Sequence, residues 1–148
     1  MPLRFVLTTG NQVEVRALGT VPSNAVVSAS VPQLAVLERA AVFVTHGGMN
    51  SALEGLACGA PMVVIPQHGE QLAIGLTVAV RGAALVRREH VAGQTLDASV
   101  LRRDVEKVLA TPSFKTAALE MQKSIRATGG FRQAADEVQA YVGAVSAA

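Results

Sequence analysis

The chain has 148 residues, half of them hydrophobic, with no Trp and a formal net charge of +2. That is the length of one domain with enough apolar material for a core, and no apolar run approaches the roughly 20 residues that a membrane-spanning helix needs. A small charge without a basic run interleaved with aromatic residues argues against nucleic acid as a partner. The N-terminus lacks the charged, apolar and small-residue regions of a signal peptide, so a cytoplasmic protein is expected. Cys58 is the single cysteine, which excludes an internal disulfide and a cysteine-based zinc site. It is read as a small buried hydrophobe.

The first strand is predicted over Arg4–Thr8, stopped at Thr9-Gly10-Asn11, and the second over Ala25–Ser28 after a Pro22-Ser23-Asn24 turn. Pro32 suits the first turn of a helix predicted over Gln33–Arg39. Ala41–Val44 and Met62–Ile65 are short, continuously apolar runs that fit parallel strands covered on both faces. A helix is predicted between them over Asn50–Cys58, with Ser51 and Glu54 at capping-box spacing and Gly59 at the C-terminal stop. Glu70–Val80 reads as a helix with Leu72, Leu76, Ala79 and Val80 on one face, followed by a strand over Ala83–Val86.

From Asp97 the pattern is helical only. Its stripes are Leu101, Val105, Val108 and Leu109, then Phe114, Ala117, Ala118, Met121 and Ile125 behind a Thr111-Pro112 cap. A last stripe, Val138, Tyr141, Val142 and Val145, follows a Gly129-Gly130 break. Alternating strands and helices predict a single α/β domain over residues 1–148, with a mostly parallel sheet flanked by helices and a helical C-terminal tail. A ligand is expected beyond the C-terminal ends of the strands. The pairs Arg87-Arg88 and Arg102-Arg103 read as solvated helix faces.

The most informative stretch is Thr45–Gln71. It opens with His46-Gly47-Gly48 and runs straight into a helix. A glycine turn feeding a helix N-terminus offers unpaired backbone N–H groups and the positive end of the helix dipole, a place for a phosphate. His46 fits either a turn histidine bonded to backbone or a group that hydrogen-bonds a departing diphosphate. Asn50 and Ser51 fit capping, phosphate contact or both. Glu54 fits a capping-box partner or an acceptor for ribose hydroxyls. Glu70 and Gln71 fit first-turn polar residues or an acceptor pair for a polyhydroxyl group. Asp97, Asp104 and Asp136 all fall in the helical tail and make no paired-aspartate motif, so a metal-bridged diphosphate is not expected. His68 and His90 are expected on the surface or in loops. No G-x-S-x-G elbow, Walker A loop or G-x-G-x-x-G turn is present.

The series Val31-Pro32-Gln33, Thr45-His46-Gly47-Gly48-x-Asn50-Ser51-x-x-Glu54, Gly59-x-Pro61, Pro66 and Glu70-Gln71 resembles the donor-binding, C-terminal half of the UDP-glycosyltransferases of the GT-B fold. The nearest likeness is to the bacterial macrolide and natural-product glycosyltransferases. The match extends over about 40 positions, and the order of elements agrees along the whole chain. The resemblance implies a Rossmann-like domain. It also implies that Val31 and Gln33 meet the nucleoside and that His46, Gly47, Gly48, Asn50 and Ser51 hold the diphosphate. Glu54 would bind the ribose, Glu70 and Gln71 the transferred sugar, and Gly10 and Asn11 would border the phosphates. Transfer in this family is metal-independent, needs no cofactor beyond a UDP- or dTDP-sugar donor, and inverts the anomeric centre.

Two departures stand out. Ser30 occupies the place where many members carry a Trp stacked on the base. Family enzymes also have an N-terminal, acceptor-binding half that carries the general base, and this chain begins at the first strand of the donor half. The expectation is therefore a donor domain that needs an acceptor domain or subunit, with an apolar docking face prone to weak self-association. The alternative is a non-catalytic nucleotide-sugar-binding subunit with a separate partner. A nucleotide-sugar epimerase and a generic dinucleotide-binding domain are less consistent with Glu70-Gln71 and with the missing glycine fingerprint.

Overall fold

The computed structural model describes residues 3–11 and 13–146. It falls into two compact units, one through Val36 and one from Leu37 onward.

In the first unit β1 (Phe5–Thr8) and β2 (Ala25–Ser28) pair in parallel, Phe5 opposite Ala25 and Thr8 opposite Ser28. A 3-10 helix over Val15–Leu18 lies on the crossover, an element that no apolar period announces. The pairing runs past the strands, with Gly10 N–H donating to the Ala29 carbonyl at 3.1 Å. Helix α1 (Gln33–Leu37) ends two residues short of the predicted Arg39.

The second unit is built on a parallel sheet of order β3-β4-β5, from Phe43–Thr45, Met62–Val64 and Ala84–Val86. Helices α2 (Met49–Ala57) and α3 (Gly69–Val80) connect these strands, and α4 (Ala98–Ala110), α5 (Pro112–Ala127) and α6 (Gly130–Ser146) follow. β4 is central and every residue of it is buried. Side chains alternate across a strand. Met62 and Val64 therefore face a core with Leu56 of α2, Val78 of α3 and Ala118 of α5. Val63 faces the opposite core with Val105 and Val108 of α4. Burying each such side chain contributes about 1.5–3 kcal/mol, which accounts for the uninterrupted apolar run in β4.

Three local expectations change. The motif helix starts at Met49, with Gly48 as its N-cap and no side-chain cap bond, so Ser51 and Glu54 do not form a capping box. Extended Gly48 (φ −60°, ψ 148°) supplies the turn by itself. In α3 the buried residues are Gly75 and Val78, whereas Val80 is 85 % exposed. A β-carbon on Gly75 would lie 2.9 Å from Val64 Cγ1, so the helix approaches the sheet on its smallest residue rather than on its leucines. In α6, Val138, Tyr141 and Val142 are exposed, and the Val145 side chain lies outside the described residues.

Candidate functional site

Parallel strands place all their C-terminal ends on one edge, where ligands of such sheets bind. In the first unit that edge carries Gly10 and Asn11 after β1 and Val31 and Gln33 after β2. Gly10 has φ 65°, which permits its turn. Gly10 and Asn11 are exposed, and Val31 and Gln33 are half-buried.

In the second unit the edge is built around the turn after β3. Thr45 is buried; its carbonyl accepts from Ile65 N–H at 2.8 Å and its hydroxyl accepts from Gly47 N–H at 3.2 Å. Gly47 has φ 83°, and a β-carbon there would lie 2.6 Å from Val64 Cγ1 and 3.2 Å from the Gln71 carbonyl oxygen. The turn is thus pressed between β4 and α3, which brings the Glu70-Gln71 segment beside it. Gly48 is constrained differently: the exposed imidazole of His46 folds over it, with Nε2 2.6 Å from where a β-carbon would stand.

The first intrahelical bond of α2 runs from Ala52 N–H to the Gly48 carbonyl at 2.9 Å. The N–H groups of Met49, Asn50 and Ser51 therefore precede the ladder and carry the positive end of the helix dipole. They open onto a depression of about 330 Å³ lined by His46, Gly48, Met49, Asn50 and Ser51. Half-buried Glu54 lies one turn further along α2, outside that lining. Lys115 Nζ donates to the Gly59 carbonyl at 2.6 Å and Gln122 Nε2 to the Ala57 carbonyl at 2.7 Å, so α5 closes the C-terminal end of α2.

Glu70 is exposed in the first turn of α3. Gln71 Oε1 accepts from Gln67 N–H at 2.8 Å, which fixes the loop after β4 and leaves the amide NH2 as what Gln71 offers first to a ligand. The Arg87-Arg88 pair is not a solvated face. Arg87 donates from Nε and Nη2 to both carboxylate oxygens of buried Asp104 on α4, while Arg88 is exposed. That bond holds the Arg87 pKa above its ordinary value. A guanidinium next to a buried carboxylate 17 residues away leaves no periodic signal in the sequence. Cys58 is half-buried, and burial chiefly raises its thiol pKa. His68 and His90 are both exposed. Among the described residues no three His, Cys, Asp or Glu side chains converge as a metal site, and no helix is long and apolar enough to cross a membrane.

Residues 13–126, most of the chain, match the UDP-glucoronosyl and UDP-glucosyl transferase family. The chain belongs to that family. Among its relatives it is 38 % identical over 91 % of its length to the uncharacterized UDP-glucosyltransferase YojK of Bacillus subtilis (strain 168), covering 32 % of that protein. It is 34 % identical over 92 % of its length to the oleandomycin glycosyltransferase of Streptomyces antibioticus, covering 31 % of it. The crystal structure of the glycotransferase of kitacinnamycin superposes on 92 % of this chain with a TM-score of 0.82 and 40 % identity, the chain covering 34 % of it. This glycosyltransferase-family chain thus spans about a third of the length of the proteins it matches. The helix-flanked parallel sheet is that of the GT-B glycosyltransferases, as the motif series implied.

Proposed function

We propose that this chain binds the nucleotide-sugar donor of an inverting, metal-independent glycosyltransferase acting on small natural-product acceptors. The observation that carries the reading is the N-terminus of α2, whose N-cap Gly48 brings no side chain and which opens onto a depression walled by His46. The N–H groups of Met49, Asn50 and Ser51, with the Ser51 hydroxyl, would take the diphosphate oxygens, and His46 would donate to the charge that grows as the diphosphate leaves. Fixed donors aimed at developing charge contribute about 2.7–4 kcal/mol each where such groups have been removed. That is the work a metal does in other transferases.

Glu54 is assigned to the ribose hydroxyls and Glu70 with Gln71 to the transferred sugar. Gly10, Asn11, Val31 and Gln33 on the first unit are assigned to the nucleoside and the border of the phosphates. The acceptor and its general base would come from an acceptor-binding half, in the same or a separate polypeptide. Without it the chain binds donor and transfers sugar poorly or not at all. The exposed apolar residues of α6 favour weak self-association, read as concentration-dependent sedimentation.

Calorimetric titration with UDP and dTDP, beside His46→Ala and Ser51→Ala, tests the donor site. Saturable binding of one nucleotide is expected, weakened about tenfold or more by each change, the loss of a hydrogen bond to a charged group. Failure of both nucleotides to bind would sink the reading.

A further inference from the structure

A second depression, of about 380 Å³, lies after β5 and is lined by Val86, Arg87, Arg88, Glu89, Ala92 and Gln94. It belongs to the same sheet edge. Arg87 N–H donates to the Val64 carbonyl at 2.8 Å as Ile65 N–H does to Thr45, so His46, Ile65 and Arg87 leave the three strands in a row. Two strand spacings, about 10 Å, separate the outer two. The loop after β4, which leads to Glu70 and Gln71, runs between them.

The walls of this cleft are fixed. Gln94 N–H donates to the Glu89 carbonyl at 2.8 Å, Ala92 N–H to Arg88 at 3.1 Å and Gly93 N–H to His90 at 3.0 Å, while Asp104 pins Arg87. Within this ordered loop Glu89 Oε2 is buried without a hydrogen-bond partner, the sole such side-chain atom among the described residues. Its other oxygen has a long contact of 3.5 Å with Arg87 Nη1, and the side chain as a whole is 30 % exposed. A buried acceptor without a donor is costly, and native structures rarely keep one without a reason. Glu89 itself lines the cleft.

We propose that this cleft is a subsite for the sugar hydroxyls of the nucleotide-sugar donor, with Glu89 as the acceptor of a sugar O–H. The inference rests on the donor site at α2. With the diphosphate at the end of β3 and the sugar reached from the end of β4, the end of β5 is the next place along the same line. The charges fit an uncharged polyol: Asp104 and Glu89 both pair with Arg87, and exposed Arg88 brings two cations level with the two carboxylates. A carboxylate that accepts, a guanidinium that donates and the Gln94 amide that does both match the two-way hydrogen bonding of hydroxyls.

The test is calorimetry of UDP, UDP-glucose, dTDP and dTDP-glucose on the wild type, Glu89→Leu and Glu89→Gln, with melting of each unliganded protein. Glu89→Leu is expected to bind the nucleoside diphosphate as the wild type does. Its affinity for the sugar-bearing form relative to the bare diphosphate is expected to fall about tenfold. Glu89→Gln, which keeps a weaker acceptor, falls between. Unliganded Glu89→Leu is expected to melt close to the wild type, because it loses one long contact with Arg87 and sheds a buried acceptor that has no donor. An unchanged ratio, or a melting temperature lowered by several degrees, would overturn the subsite while leaving the diphosphate site standing. A wild type that binds none of the four ligands removes both.

Discussion

The imidazole of His46 occupies the space that a β-carbon on Gly48 would need, 2.6 Å from Nε2. Gly48 has an ordinary extended backbone, so its lack of a side chain is required by the histidine rather than by its own φ and ψ. The contact couples the residue proposed to meet the diphosphate to the residue that begins the binding helix.

Gly48→Ala is expected to push the ring away while leaving stability within about 0.5–1 kcal/mol, because an exposed side-chain end yields cheaply. Nucleotide affinity is expected to fall with it. In a His46→Ala background the same change should have little further effect on affinity. A double-mutant cycle by calorimetry, with melting as the control, reads this coupling.

Gly47→Ala acts on the fold instead. The left-handed backbone (φ 83°) costs an alanine about 1–2 kcal/mol, and its β-carbon meets Val64 Cγ1 in the core at 2.6 Å. Urea denaturation is expected to show a loss of about 2–4 kcal/mol in total. A loss below 1 kcal/mol would mean that the turn is not held between β4 and α3.

The Arg87–Asp104 pair predicts non-additivity. Arg87→Ala strands a buried carboxylate and is expected to cost about 3 kcal/mol, less than a fully enclosed pair because Arg87 is 33 % exposed. Arg87→Ala with Asp104→Ala is expected to cost less than the sum of the two single changes. Chemical denaturation of the four proteins of the cycle checks it.

Lys115→Met removes a cation and a donor from the carbonyl end of α2 and is expected to cost about 1 kcal/mol. Denaturation at low and high salt separates the two contributions, since added salt weakens the charge effect and spares the hydrogen bond.

Asp97 predicts a pH dependence. Its side chain accepts from Ser99 N–H at the start of α4, and that hydrogen bonding chiefly holds its pKa below the ordinary value. A carboxylate lowered in the folded state contributes stability above its unfolded pKa of about 3.9 and loses it as the pH falls through the native value. The melting difference between the wild type and Asp97→Ala is therefore expected to be constant at neutral pH and to shrink below about pH 4. A difference that persists at pH 2 would show that something other than the carboxylate charge holds the cap.

Much of this was legible because it is local. The apolar runs before Thr45 and Ile65 gave parallel strands, buried throughout in β4 but not in β3, where Val44 is 41 % exposed, and the Gly129-Gly130 break gave the boundary between α5 and α6. The turn His46-Gly47-Gly48 marked the start of a helix, although the capping box read into Ser51 and Glu54 dissolved once Gly48 supplied the turn. On helix α3 Ala79 packs on the core as expected, but Val80 is exposed and Gly75 and Val78 are the buried residues, because the helix is apolar nearly all round and such a pattern cannot say which side packs closest.

The sequence by itself determined the order of strands and helices, the glycine turn into α2 and the family. These follow from backbone preferences and side-chain periods acting within a turn or two of the chain. Only the tertiary structure decided that Gly75 and not a leucine meets the sheet, and that Gln71 folds back onto Gln67. It alone placed Asp104 on Arg87, and it brought Lys115 and Gln122 across 56 and 65 residues to close α2. Partners so distant along the chain are chosen by close packing, which brings together surfaces that no local pattern relates.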